Sequence, residues 1–99
     1  MNTEELILSL IKKASEKHPV TRAELRDITG LKDSHVREVI GQLRDKGNRI
    51  VGSSGTKGYY IARGEKQYKA FRAEYEKKAM TYLKRLKAMD GQTEGQIEI

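Results

Sequence analysis

The chain has 99 residues, with 20 Lys and Arg against 14 Asp and Glu, and it contains no cysteine. This length suits one small domain with one modest hydrophobic core. The lack of cysteine excludes disulfides and thiolate zinc sites, and the net charge of +6 favours a polyanionic partner such as nucleic acid.

The excess positive charge is concentrated in two segments. Residues 1–20 sum to zero and residues 91–99 to −2, whereas residues 21–63 and residues 64–90 carry +4 each. A DNA-facing surface would produce this distribution. For residues 64–90, a solvated helix with additional lysines would explain it equally well.

The first segment predicts a helix over residues 3–17, because its apolar residues recur at spacings of three and four. Asn2 or Thr3 can cap the start of this helix. We expect Pro19 to end it, because proline lacks an amide proton and disfavours helical backbone in the preceding residue. Val20 is predicted to be a single strand-like residue that leads into the next element.

A second helix begins at a predicted capping box. Thr21 and Glu24 have the spacing at which each side chain satisfies an amide of the other residue at a helix start. This helix is expected to bury Leu25 and Ile28. Gly30 should end it, because glycine adopts the left-handed conformation without steric cost.

A third, amphipathic helix follows the turn. Leu31 is expected to fill the inside of the turn, Asp33 to act as the N-cap and Gly47 to end the helix. The predicted buried face consists of Val36, Val39, Ile40 and Leu43. The opposite face is free for a partner.

Two short β-prone stretches, 49–52 and 59–62, are joined by small residues and predict a hairpin. A final helix is predicted over residues 65–90, with roughly 39 Å of length, which exceeds what the preceding domain can cover. Residues 91–99 have no periodic apolar face and are predicted to be a flexible tail.

Residues 29–62 carry the sequence TGLKDSHVREVIGQLRDKGNRIVGSSGTKGYYIA, in which an R-x-x-I-x-x-L-R-x-x-G helix precedes a GYYxA strand and a long charged helix. This order resembles the winged helix-turn-helix of bacterial and phage DNA-binding proteins, most closely small prophage-type proteins. The resemblance covers about residues 3–90 and implies DNA binding more than any particular task. One departure is Lys32, which stands where a serine often caps the recognition helix.

The expected fold is therefore mainly α with a small β-hairpin: a three-helix core plus wing over residues 1–63, then a C-terminal helix over 64–90. The wing is the loop of residues 53–58 that joins the two predicted strands. Since the major groove admits one α-helix, outward side chains of the third helix are the base-reading candidates. These candidates are Ser34, His35, Arg37 and Gln42. Arginine matches guanine and glutamine matches adenine, although each residue could equally be an ordinary solvated side chain.

Acidic and small residues modify this expectation. Glu38 and Asp45 on the outward face disfavour insertion along the whole helix and favour insertion by its amino-terminal half. Gly41 costs about 1 kcal/mol relative to alanine, which suggests close approach by the backbone of DNA or of a packed neighbour. Neutral drift would also explain this glycine.

Candidates for the DNA backbone surround the third helix and occupy the wing. They are Thr21, Arg22, Arg26, Lys32, Arg44, Arg49, Ser53, Ser54, Thr56 and Lys57, with Lys46 as a further basic residue. Hydroxyls, amides and lysine suit phosphate oxygens or the minor groove, but a solvated hairpin is the alternative. The GxxxxGK[ST] order of a phosphate-binding P-loop is absent, so nucleotide hydrolysis is rejected.

The second half of the final helix predicts a homodimer. The candidate dimerisation residues are Ala79, Tyr82, Leu83, Leu86 and Met89. The aromatic residues of this helix are expected to pack, the first half on helix 1 and the second half on the second copy. A twofold dimer would place two recognition helices about 34 Å apart on double-stranded DNA.

Other functions have little support in the sequence. The two histidines lie in different elements and the carboxylates are scattered, so we expect no enzyme, metal site, cofactor or small-molecule ligand. No apolar run approaches the length of a membrane span, and a cytoplasmic protein is expected. Two alternatives stay open: a winged-helix protein-interaction module, and a replication or packaging accessory factor.

Overall fold

A computed structural model describes residues 2–52 and 58–98, with the side chains of residues 2–52 and 58–91. The described elements are α1 (Thr3–Lys13), α2 (Arg22–Thr29), α3 (Asp33–Asp45), β1 (Ile50–Val51), β2 (Tyr60–Ile61) and α4 (Glu65–Glu98). The predicted class, mainly helical with a small hairpin and a long C-terminal helix, is thereby confirmed.

Helix α1 starts as predicted and ends early. Asn2 caps it, because the Asn2 side chain accepts a hydrogen bond from the Glu5 amide at 2.8 Å. The helix stops at Lys13, so the predicted end at residue 17 is wrong. Ser15 and His18 instead exchange two backbone hydrogen bonds of 3.1 Å, which form a separate turn before Pro19.

Helix α2 confirms its predicted caps but not both of its predicted core residues. The capping box of Thr21 and Glu24 is complete, and Gly30 ends the helix in the left-handed conformation. Leu25 is fully buried. Ile28 is 54% exposed, so its predicted burial is wrong. Leu31 packs against the core from the turn, so the turn supplies the additional apolar contact.

Helix α3 lies at the centre of the core. Its four predicted apolar residues, Val36, Val39, Ile40 and Leu43, are all buried. The predicted N-cap is wrong: Lys32 is the capping residue, and Asp33 is the first residue of the helix. The Asp33 carboxylate contacts arginine side chains, which accounts for its failure to cap.

The hairpin is antiparallel and pairs Ile50 with Ile61 and Val51 with Tyr60. Val20 adds the predicted strand-like bridge: its amide donates to the Tyr59 carbonyl at 3.0 Å, and the Tyr59 amide donates back at 2.7 Å. Together, α1 to α3 and the hairpin enclose one core.

Helix α4 continues to Glu98, so its predicted end at residue 90 is wrong, while the flexibility of residues 91–99 stays a prediction. Gly91 and Gly95 lower helix propensity by about 1 kcal/mol each, but unlike proline they do not clash with the helical backbone. The chain forms two compact units, unit 1 (residues 1–68) and unit 2 (residues 69–99). Unit 1 therefore includes the first turn of α4.

Candidate nucleic-acid interface

Three arginines meet at one carboxylate where α2 packs beside the start of α3. Arg22 Nε lies 3.7 Å from Asp33 Oδ1, and an Arg26 guanidinium nitrogen lies 3.4 Å from the same oxygen. Arg37 Nε lies 3.3 Å from Asp33 Oδ2. We call Arg22, Arg26 and Arg37 the arginine cluster.

The arginine cluster is accessible and keeps a net positive charge. Its side chains are 44–59% exposed, whereas Asp33 is 34% exposed. Three positive charges against one carboxylate leave two in excess. Each guanidinium has five N–H donors, so donors beyond those directed at Asp33 can contact an oxyanion arriving from solvent.

The other base-reading candidates lie on α3, which also supplies Arg37 to the cluster. Ser34, His35 and Gln42 are exposed. Glu38 and Asp45 are exposed too, whereas the arginine cluster places positive charge beside the amino-terminal end of α3. This distribution suits insertion of the amino-terminal half more than insertion of the whole helix.

Gly41 stands in the middle of α3 without a described neighbour that needs a glycine. A Cβ added there would meet no described atom within 4 Å. A packed neighbour within the described part of the chain therefore does not explain this glycine.

Three basic candidates near the end of α3 hold elements of unit 1 together. Arg44 is half-buried, and its Nε donates to the Ile50 carbonyl at 3.0 Å. Lys46 pairs with Glu4 at the start of α1. These contacts give the side chains structural partners that a phosphate would have to share or displace.

Arg49 is similarly engaged. Its guanidinium donates to Glu65 at 2.8 Å and lies 4.0 Å from the ring centroid of Tyr68. The hydrogen bond to Glu65 raises the pKa of Arg49 further above its already high ordinary value. Arg49 thus fastens the start of β1 to the first turn of α4.

The remaining backbone candidates have different positions. The Thr21 hydroxyl accepts from the Glu24 amide and donates to the Glu24 carboxylate, each at 3.0 Å, so the capping box occupies it. Lys32 is exposed at the start of α3. The wing candidates Ser53, Ser54, Thr56 and Lys57 lie outside the described residues.

The predicted dimerisation residues lie in unit 2 and are exposed. Tyr82 is 59%, Leu83 52%, Leu86 51% and Met89 56% exposed, and Ala79 is exposed with them. Unit 2 therefore presents a row of apolar side chains along α4.

The role of Asp33 as the common partner of the arginine cluster was missed by sequence reasoning. Part of the signal was present, since Asp33 and Arg37 are four residues apart on one helix and Arg22 and Arg26 are four apart on another. Their convergence depends on the packing of α2 against α3, which the spacing alone does not fix.

No group of three or more potential metal-ligating side chains occurs among the described residues. Within the same part of the chain, no helix combines the length and apolar character needed to cross a bilayer. No protein-family model matches the chain, and neither a curated protein nor a solved structure matches it significantly. The resemblance to the winged helix-turn-helix therefore stays a prediction.

Proposed function

We propose that unit 1 is a winged helix-turn-helix that binds double-stranded DNA with a sequence preference, as a transcriptional regulator or phage-type accessory factor. The observation that carries this proposal is the arginine cluster. The cluster brings side chains of α2 and α3 together near the amino-terminal end of α3, and the outward face of α3 is accessible. Guanidinium donors match the geometry of phosphate as well as carboxylate groups, and the DNA backbone presents a phosphate at every nucleotide.

The roles follow from position along the two helices. Arg22 and Arg26 lie on α2 and bind phosphates, which fixes the orientation of unit 1 on the duplex. Arg37 lies one turn into α3 and reaches a base edge in the major groove with Ser34 and His35. Glu38 and Asp45 keep the carboxyl-terminal half of α3 farther from the phosphates.

Gly41 independently supports a close approach of α3 to DNA. A glycine inside a helix lowers stability by about 1 kcal/mol relative to alanine, and no described atom within 4 Å requires it. Close approach of α3 to the backbone of a partner would account for it.

The proposal is tested by fluorescence anisotropy with a labelled duplex over a series of salt concentrations. Affinity should fall steeply with salt, and Arg26→Gln should lower the slope of log K against log salt by about 0.9, because one phosphate contact is lost. Lys12→Gln, which removes the same charge from an exposed position on α1, is the matched control. An affinity that does not respond to salt would contradict the proposal.

Sequence preference needs a separate measurement, namely selection of bound duplexes from a random pool. Arg37→Ala should relax the selected preference, whereas Arg26→Gln should weaken all sequences alike. Salt-sensitive binding without any preferred site would contradict the proposed sequence preference but not the proposed binding to DNA. Absence of duplex binding would favour the protein-interaction alternative, while a replication or packaging role would preserve the same DNA contacts.

A further inference from the structure

Unit 2 has an exposed apolar stripe with coiled-coil spacing. Ala79, Tyr82, Leu86 and Met89 follow one another at intervals of three, four and three residues, and Leu83 borders them. We call these four residues the core positions of the stripe. At 100° per residue they lie within a narrow sector of α4. Tyr82, Leu86 and Met89 are each more than half exposed.

Charged residues flank this stripe in an ordered way. Arg85 directly precedes the core position Leu86, and Asp90 directly follows the core position Met89. The Arg85 guanidinium lies 5.8 Å from the ring centroid of Tyr82, so the side chain stands beside the stripe. The residues before and after core positions determine partner choice and orientation in coiled coils.

We propose that the apolar stripe binds a second copy of the same chain, with the two α4 helices parallel. In a parallel pair, the residue before one core position faces the residue after the next core position of the other helix. Arg85 therefore faces the partner's Asp90, and symmetry repeats this opposite-charge pair on the other side. Lys78, before Ala79, faces the partner's Leu83 and covers it with its methylene stem.

An antiparallel pair brings like charges together. In the register that places Ala79 against the partner's Met89, Arg85 faces its own copy. Asp90 then faces the partner's Glu76. Both contacts are repulsive, so Arg85 and Asp90 favour the parallel arrangement over this antiparallel register.

Parallel pairing has a consequence that rests on the proposed DNA binding of unit 1. It brings the amino-terminal ends of both α4 helices, whose first turns belong to the two copies of unit 1, to the same end of the pair. Two DNA-binding units held at one end can contact neighbouring half-sites of one duplex. The pairing itself does not depend on DNA.

Orientation can be tested by disulfide cross-linking of the full chain, which has no cysteine of its own. In a parallel pair each core position faces its own copy, so Ala79→Cys and Met89→Cys should each form a homodimer under mild oxidation. An antiparallel pair would link the two variants only when they are mixed. Lys84→Cys, on the opposite side of α4, is the control.

Sedimentation of three variants tests whether Arg85 faces the partner's Asp90. Arg85→Glu and Asp90→Arg should each weaken self-association about five-fold, because each makes two symmetry-related repulsive contacts. The double variant Arg85→Glu/Asp90→Arg should restore the wild-type association. Equal weakening in the double variant would overturn the assigned pair.

The two proposals fail in different measurements. A sedimentation mass of one chain, 11.3 kDa, at micromolar concentration, with cross-linking no greater than in the Lys84→Cys control, would overturn the pairing. A parallel dimer that binds no duplex would overturn only the proposed function. Cross-linking confined to the mixed variants would overturn the parallel orientation.

Discussion

Replacing Asp33 with asparagine should change stability and DNA affinity in opposite directions. The carboxylate lies within 3.7 Å of all three side chains of the arginine cluster. These pairs are more than a third exposed, and an exposed pair contributes at most about 1 kcal/mol. Because three pairs share one carboxylate, Asp33→Asn should lower the free energy of unfolding by about 1–2 kcal/mol.

DNA affinity should rise in the same variant. A phosphate bound by the arginine cluster would lie roughly 7 Å from Asp33, where two negative charges repel by about 0.6 kcal/mol at the dielectric constant of water. Removing the carboxylate charge should therefore tighten duplex binding about three-fold at low salt. The gain should shrink at higher ionic strength, because salt screens exposed charges.

Urea unfolding gives the stability change, and anisotropy with a mixed-sequence duplex gives the affinity. Glu74→Gln, which neutralises one exposed acid of unit 2, controls for the change in net charge. Weaker duplex binding by Asp33→Asn would show that the carboxylate is needed to hold the arginines in place. An affinity equal to that of the control would show that DNA does not contact the cluster, which would refute the reasoning.

Three further predictions concern single residues of unit 1. Gly58→Ala should lower the free energy of unfolding in urea by roughly 1–3 kcal/mol, because the added Cβ would collide with the Val20 carbonyl oxygen. Gly41→Ala should raise the free energy of unfolding by about 1 kcal/mol and weaken duplex binding. Tyr60→Phe should lower the free energy of unfolding by about 1 kcal/mol at pH 8, because it removes the hydrogen bond to Glu16. Burial, followed by Glu16, raises the pKa of Tyr60 above 10.0, so this stabilisation is present below pH 10 and disappears as pH rises through the higher folded pKa.

Each of these predictions has an opposing result. Wild-type stability in Gly58→Ala would mean that the close approach to Val20 is not required by the fold. Unchanged DNA affinity in a stabilised Gly41→Ala would assign that glycine to drift. A Tyr60→Phe difference that persisted or grew at alkaline pH would exclude a hydrogen-bond role for the Tyr60 hydroxyl.

Local chemistry made much of unit 1 predictable. The capping box at Thr21 and the left-handed turn at Gly30 each depend on a few adjacent residues, and both were confirmed. The buried face of α3 follows from helical periodicity. Val20 was predictable as strand-like, although its partner, Tyr59, was not.

The errors arose where tertiary contacts compete with local preference. Asp33 is a good N-cap by residue type, but three arginines contact its carboxylate, and two of them come from another helix. Ile28 has the spacing of a core residue, yet it is exposed and Leu31 packs on the core from the turn. Among the phosphate candidates, Arg44 contacts the hairpin and Arg49 contacts α4. The sequence alone does not reveal these contacts, because both partners reach the arginines only through the tertiary fold.

The central claim is that the arginine cluster contacts duplex DNA, and NMR of the arginine Nε–H groups tests it most directly. During titration with a duplex, the resonances of Arg22, Arg26 and Arg37 should shift together and saturate at one DNA concentration. Arg72, paired with Glu76 in unit 2, should serve as the internal reference and shift little. Saturating binding in which the three cluster resonances stay in place would contradict the account.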